Sequence, residues 1–197
     1  ICAYPLTYDK LKGKGFINAL IIFTMYFNAG TIPTFLLLLR LDWISKPIVL
    51  IVPYCLSVFN MIIMRSFFYT IPESLRESAE IDGAGPIRIL ISIYLPMSTP
   101  VIATLALFYA VGRWNGFSDA LMFMKDRKYY PIQLFLYNII NSMQNIEIAT
   151  LEGFSRPGLS ETIKAATIMF ATVPILVVYP WLQKYFITGA TLGAVKE

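Results

Sequence analysis

Four carboxylates crowd one short stretch of the chain: Glu73, Glu77, Glu80 and Asp82. Acidic side chains this close together suit a divalent metal, a general-acid pair or a solvated helix face. Other chemistry is scarcer. The sequence has no His, which removes histidine-based triads and histidine metal sites. Cys2 and Cys55 lie far apart in apolar surroundings, so they are expected to be reduced core residues, with no disulfide or metal clip. No G-x-x-x-x-G-K-[ST] stretch occurs, and Gly13-Lys14-Gly15 and Gly83-Ala84-Gly85 cannot replace a phosphate-cradling loop. The chain is therefore expected to be no enzyme, to bind no cofactor or metal, and not to hydrolyse ATP itself; uphill work would draw on another subunit or an ion gradient.

The carboxylates sit in a local helix–turn–helix. Thr70 and Glu73 have capping-box spacing and Pro72 lies near the first helical position, so a helix starts here. Leu75 and Ala79 share one face at i, i+4, while Arg76, Glu77 and Glu80 occupy the others. Asp82-Gly83 stops the helix, with Gly83 taking a positive φ at the C′ position. Gly85 adds freedom and Pro86 starts a second helix.

This polar island stands between apolar runs. The composition is 57% hydrophobic and 14% charged, with mean hydropathy +0.64, too apolar for an ordinary soluble domain. Four uncharged runs, Ile17–Leu39, Pro47–Met64, Ile89–Gly112 and Ala165–Gln183, each approach the roughly 20 residues that cross the ~30 Å hydrocarbon core. The first is interrupted at Asn28–Pro33, and Pro96, Pro100, Pro174 and Pro180 fall in the later runs. Broken backbone at membrane depth is tolerated where it packs on protein or lines a wet cavity, which favours a transporter bundle. A fifth run, Tyr129–Ile146, has Ile132, Phe135, Leu136, Ile139, Ile140 and Met143 at helical spacing. Amides fill its other face, so it is expected on the bilayer surface or against a partner. Lys and Arg divide evenly between the two sides of a four-span layout, but most of those on the second side lie in one long loop from about Arg113 to Lys164, where the positive-inside rule loses force. The short basic loops thus favour a cytoplasmic island. With no initiator Met and an apolar start at Ile1, the sequence is read as a C-terminal fragment that opens inside a helix.

Glu77, Ser78 and Ala79, then Gly83 after three residues, then Ile93, Leu95 and Pro96 after nine more, form the pattern EAA-x3-G-x9-I-x-LP, with Ser78 in place of the first Ala. This resembles the cytoplasmic coupling loop of binding-protein-dependent ABC importer permeases. Ala3-Tyr4-Pro5-Leu6 with the basic stretch Lys10–Gly15, Trp114-Asn115-Gly116-Phe117, and Tyr179-Pro180 through Phe186 to Gly193-Ala194-Val195-Lys196 are similar to the carbohydrate-importer branch. The smaller maltose-type subunits and Gram-positive polysaccharide permeases are the nearest likeness.

The resemblance implies an all-α membrane protein: a polytopic helical bundle of the type I ABC importer permease kind, with about four transmembrane helices present of about six. It implies one permease domain over residues 1–197, lacking its N-terminal part, in the bacterial inner membrane, with a coupling loop at 70–96 and an extracytoplasmic loop at 113–164. The implied partners are ABC ATPase subunits, a second permease subunit, an extracytoplasmic solute-binding protein and a sugar or oligosaccharide, with no nucleic acid. ATPase docking falls to Leu75, Glu77, Ser78, Ala79, Glu80, Asp82, Gly83, Ile93, Leu95 and Pro96. Polar residues within the spans, Asn28, Thr31, Asn60, Thr104, Tyr109 and Asn115, are candidates for the substrate path, with Phe108 or Trp114 stacking on pyranose faces; the bland reading is that Asn and Thr bond neighbouring helices. An ion-gradient-driven secondary carrier is the alternative. It would place acids within the membrane, whereas every Asp and Glu here lies outside the spans. A structural scaffold would explain the helices but not the loop pattern.

Overall fold

A computed structural model describes residues 1–9, 11–149 and 159–194. Lys10 and residues 150–158 and 195–197, among them Arg156, Val195 and Lys196, lie outside the described residues. The described chain is helical and contains no strand, as the all-α expectation requires. A 3-10 turn at Pro5–Thr7 leads into α1 (Lys14–Tyr26), α2 (Thr31–Arg40) and the short α3 (Ile48–Ile51), then α4 (Val58–Phe68), α5 (Glu73–Ile81) and α6 (Pro86–Ile89). A π-turn at Leu90–Tyr94 joins α6 to α7 (Leu95–Met97), followed by α8 (Thr99–Trp114), α9 (Phe117–Phe123), α10 (Ile132–Ala149) and α11 (Leu159–Ala194).

Only Glu161–Pro180, within α11, is long and apolar enough to cross a membrane unbroken among the described residues. The count rises to four if each of three bent helix pairs is one span. The pairs correspond to the first three uncharged runs. α1 and α2 meet at 111°, across Phe27–Gly30, where the Asn28 side chain accepts a hydrogen bond from the Gly30 N–H at 2.8 Å. Residues Pro86–Met97 meet α8 at 82°, at Ser98, between Pro96 and Pro100. At the second break Pro100 lacks the N–H that would carry the helix ladder past Ser98.

The chain divides into two compact units. The first takes in Ile1–Leu36 and Val52–Ala106 with the segment from Tyr185 onward. Its core is Tyr4, Leu6, Met61, Met64, Phe68, Ile71, Ile89, Leu90, Tyr94 and Val101. Within it α1 packs on α4, and the Arg65 guanidinium of α4 donates to the Asn18 side chain of α1 at 2.7 Å. The second unit, Leu37–Ile51 and Leu107–Lys184, buries Leu38, Val49, Ala120, Phe123, Met124, Leu134 and Leu136. There Ser45 holds a left-handed φ of 64°. Its N–H donates to the Phe123 carbonyl at 2.9 Å, and its hydroxyl accepts from the N–H groups of Lys125 and Asp126 at 3.2 and 3.0 Å.

The fifth run is helical as expected, and of its apolar spacing Leu136 is buried and Ile132, Ile139 and Ile140 are half-buried. Phe135 departs, being exposed, while Leu134, outside that spacing, is buried where α10 packs on α9. The cysteines also depart from expectation: both are free, as read, but exposed. Their apolar neighbours Ile1, Val52 and Leu56 are exposed too, since apolar surroundings in a membrane chain do not imply a protein core.

Candidate functional site

The residues of the island come together as one hairpin in the first unit. α5 begins two residues later than the capping box would place it. Pro72 occupies the N-cap position without a side-chain cap, and the Thr70 hydroxyl donates back to the Phe67 carbonyl at 2.7 Å. Thr70 thus finishes the turn after α4 and does not start α5.

The other end matches the sequence reading. The Gly83 N–H reaches the Glu80 carbonyl at 3.0 Å and the Ala84 N–H reaches Ala79 at 2.9 Å, with Gly83 at φ 78°. This crossed pair of bonds is the Schellman motif, which satisfies carbonyls that the helix leaves open. Gly85, at φ −72°, uses none of its extra freedom; it precedes Pro86 at the N1 position of α6.

The hairpin separates its residues into two sets. Ala79, Ala84, Ile93 and Leu95 pack against the core. Leu75, Glu77, Ser78, Glu80, Asp82, Gly83 and Pro96 are exposed. Two apolar residues that the motif does not single out join the exposed set: Ile81 is 85% exposed and Ile87 is 74% exposed. Their place beside Gly83 and Pro86 was the available signal, because an isoleucine next to a helix stop has no neighbouring turn to cover it. An exposed apolar rim with scattered acids suits a protein contact. The carboxylates do not converge on a metal, and no metal-holding group of His, Cys, Asp and Glu exists among the described residues.

Arg76 is the residue that the sequence reading misplaced. It pairs with Glu73 and lies 4.0 Å from Glu80, and its guanidinium sits 4.9 Å from the Tyr8 ring centroid. Burial works against its charge, but Glu73 and Glu80 outweigh burial, so its pKa is raised. Tyr8 meets Tyr4 edge-on with hydroxyls in contact, and Tyr4 meets Tyr94 and Phe68 at 4.9 and 6.2 Å between centroids. Phe68 and Tyr94 close the box at 5.3 Å. Nearby, Tyr69 donates to the Leu6 carbonyl at 3.2 Å and carries Arg65 and Lys14 over its ring.

The candidate path residues divide between the units. Asn28, Asn60 and Thr104 fall in the first, Tyr109 and Asn115 in the second. Asn28 caps its own loop, and the Thr104 hydroxyl donates to the Pro100 carbonyl of its own helix at 3.1 Å, a local bond and not a cross-helix one. Asn60 is buried, and Asn115 is exposed. The Trp114 indole donates to the Ala171 carbonyl of α11 at 3.2 Å, and Phe117 packs on Tyr137 at 5.1 Å, so both aromatics of the Trp114–Phe117 signature hold the second unit together.

Comparison with known proteins adds a family. The model of the family described as the binding-protein-dependent transport system inner membrane component matches residues 6–191. The chain is 42% identical over its whole length to 69% of a polygalacturonan/rhamnogalacturonan transport system permease protein, YtcP, of Bacillus subtilis (strain 168). The same organism's protein LplC is 42% identical over 98% of this chain and 66% of its own. Among solved structures, a bacterial ABC transporter involved in the import of the acidic polysaccharide alginate has a chain that superposes with a TM-score of 0.83 and 33% identity, over 94% of this chain and 66% of that one. The present chain thus spans about two thirds of the length of the proteins it matches. With the helical fold, the capped hairpin and a family match that covers nearly every residue, the chain belongs to the inner-membrane permease components of binding-protein-dependent transport systems.

Proposed function

We propose that this chain is the membrane-spanning permease subunit of an ATP-driven importer and carries a sugar or oligosaccharide delivered by an extracytoplasmic solute-binding protein. The observation that carries the reading is the hairpin at 70–96. It shows Leu75, Glu77, Ser78, Ile81, Asp82 and Ile87 to solvent while Ala79, Ala84, Ile93 and Leu95 tie it to its own unit. In this reading the exposed set docks into ATPase subunits, and the packed set passes their closure on nucleotide to the connected helices, which switches access from outside to inside. A second permease subunit completes the pathway, and residues 113–164 face the solute-binding protein. The named relatives handle polygalacturonan, rhamnogalacturonan and alginate, so an acidic oligosaccharide is the first substrate class to test. The exposed Lys125, Arg127 and Lys128 suit carboxylate-bearing cargo or its carrier. The ion-gradient alternative has no counterpart in the matched family.

The test is co-purification of the full-length protein from membranes with its ATPase subunits, comparing wild type with Glu77→Arg plus Gly83→Pro. Wild type is expected to retain the ATPase and the variant to lose it while still inserting. Wild type that retains none under conditions that hold membrane complexes together would overturn the reading. Uptake of oligogalacturonate against a neutral oligosaccharide of equal length then sets the substrate class.

A further inference from the structure

We propose that Arg76 is a positioning residue that fastens α5 to the aromatic box of Tyr4, Tyr8, Phe68 and Tyr94, so that the docking helix and the segment 1–9 move as one piece. The inference rests on the coupling role proposed for the hairpin and names the residue through which that role reaches the start of the chain.

α5 is otherwise an exposed helix. Its half-buried residues are Arg76 and Ala79, and Ala79 carries a single methyl. The Arg76 side chain is 18% exposed, against 63% for Glu73 and 44% for Glu80. The two carboxylates hold the guanidinium from its own helix, which restricts its rotamers and leaves it over the Tyr8 ring, a contact that arginine makes with little reorganisation. From Tyr8 the contact continues through Tyr4 to Phe68 of α4 and to Tyr94 of the π-turn. Arg76 is therefore joined, through Tyr8 and Tyr4, to α4 and the π-turn. A docking residue would face outward with Glu77 and Ile81; Arg76 faces the opposite way.

The experiment uses the full-length permease assembled with its ATPase subunits in inside-out vesicles, in a background with Cys55→Ser and every other cysteine of the assembly replaced, so that Cys2 is the thiol followed in segment 1–9. The rate of Cys2 labelling by a membrane-impermeant maleimide is read with and without a non-hydrolysable ATP analogue and Mg²⁺. In wild type the analogue is expected to change the rate about fivefold or more, as for an ordinary coupling between sites. Arg76→Ala is expected to keep the ATPase subunits but lose that change, and Arg76→Lys to keep part of it, since a cation still lies over the ring. Tyr8→Phe is expected to behave as wild type and Tyr8→Leu as Arg76→Ala, with the double variant no worse than either. A wild-type response in Arg76→Ala overturns the proposal, as does loss of the ATPase subunits from a normally inserted Arg76→Ala, which would make the residue a docking contact. If Arg76→Ala fails to insert, Tyr8→Leu, which leaves α5 unaltered, decides by the same readout. Wild type that binds no ATPase sinks the coupling reading itself. ATPase retained in wild type with no Cys2 response sinks only the link to segment 1–9.

Discussion

At φ 78°, Gly83 is held where a Cβ costs roughly 1–2 kcal/mol through crowding of its own backbone. Nothing else would meet that Cβ within 4 Å, so the cost is local to the turn and owes nothing to neighbouring side chains. Gly83→Ala is therefore expected to weaken uptake several-fold with unchanged protein in the membrane, and Gly83→Asn less, because asparagine tolerates the left-handed region. Gly83→Pro is expected to abolish uptake, since it cannot reach positive φ and also loses the N–H that bonds Glu80. Uptake rates normalised to membrane content check the order, and equal activity in all three would refute a fixed turn. This residue was legible in sequence because Asp-Gly after an amphipathic turn has few other uses. Thr70 was not, because a threonine three residues before a glutamate looks the same whether it opens one helix or closes the previous turn. Arg76 was not either, since its partner Tyr8 lies too far along the chain for any periodicity to link them.

Element positions followed the apolar runs well, since each run's length is set by the membrane it must cross. The bends did not follow from length. The 82° corner between α7 and α8 turns at Ser98, which is fully buried with a hydroxyl that finds no partner among the described residues. A buried unpaired hydroxyl costs about 1–3 kcal/mol, so Ser98→Ala is expected to leave thermal stability in detergent unchanged or raise it by about 1 kcal/mol. A marked drop in melting temperature would mean that the hydroxyl is bonded in the assembled importer. The facing of Phe135 on α10 was misjudged for a related reason. Its apolar residues cover more than one side, and whether Leu134 or Phe135 turns inward depends on where α9 sits, which is a tertiary matter.

Across the whole molecule, apolar side chains on α1, α2 and α11 remain exposed, and only 6% of the spanning window in α11 is buried. That surface calls for lipid or partner helices, so the protein is expected to stay in the membrane pellet through alkaline carbonate and to leave it only in detergent; release by carbonate would contradict the bundle. Composition made this legible from the start, whereas the aromatic box and the Ser45 contacts join residues far apart in sequence and became visible only in the fold. Ser45 spends roughly 1 kcal/mol or more on a left-handed backbone, offset by three hydrogen bonds that pin the start of the strip Lys125–Lys128. The backbone ordering of that strip is thereby settled when the chain folds and not when a partner arrives. A surface prepared in this way can be both fast to engage and quick to release, as the importer role proposed for this chain would require of a face turned to a solute-binding protein.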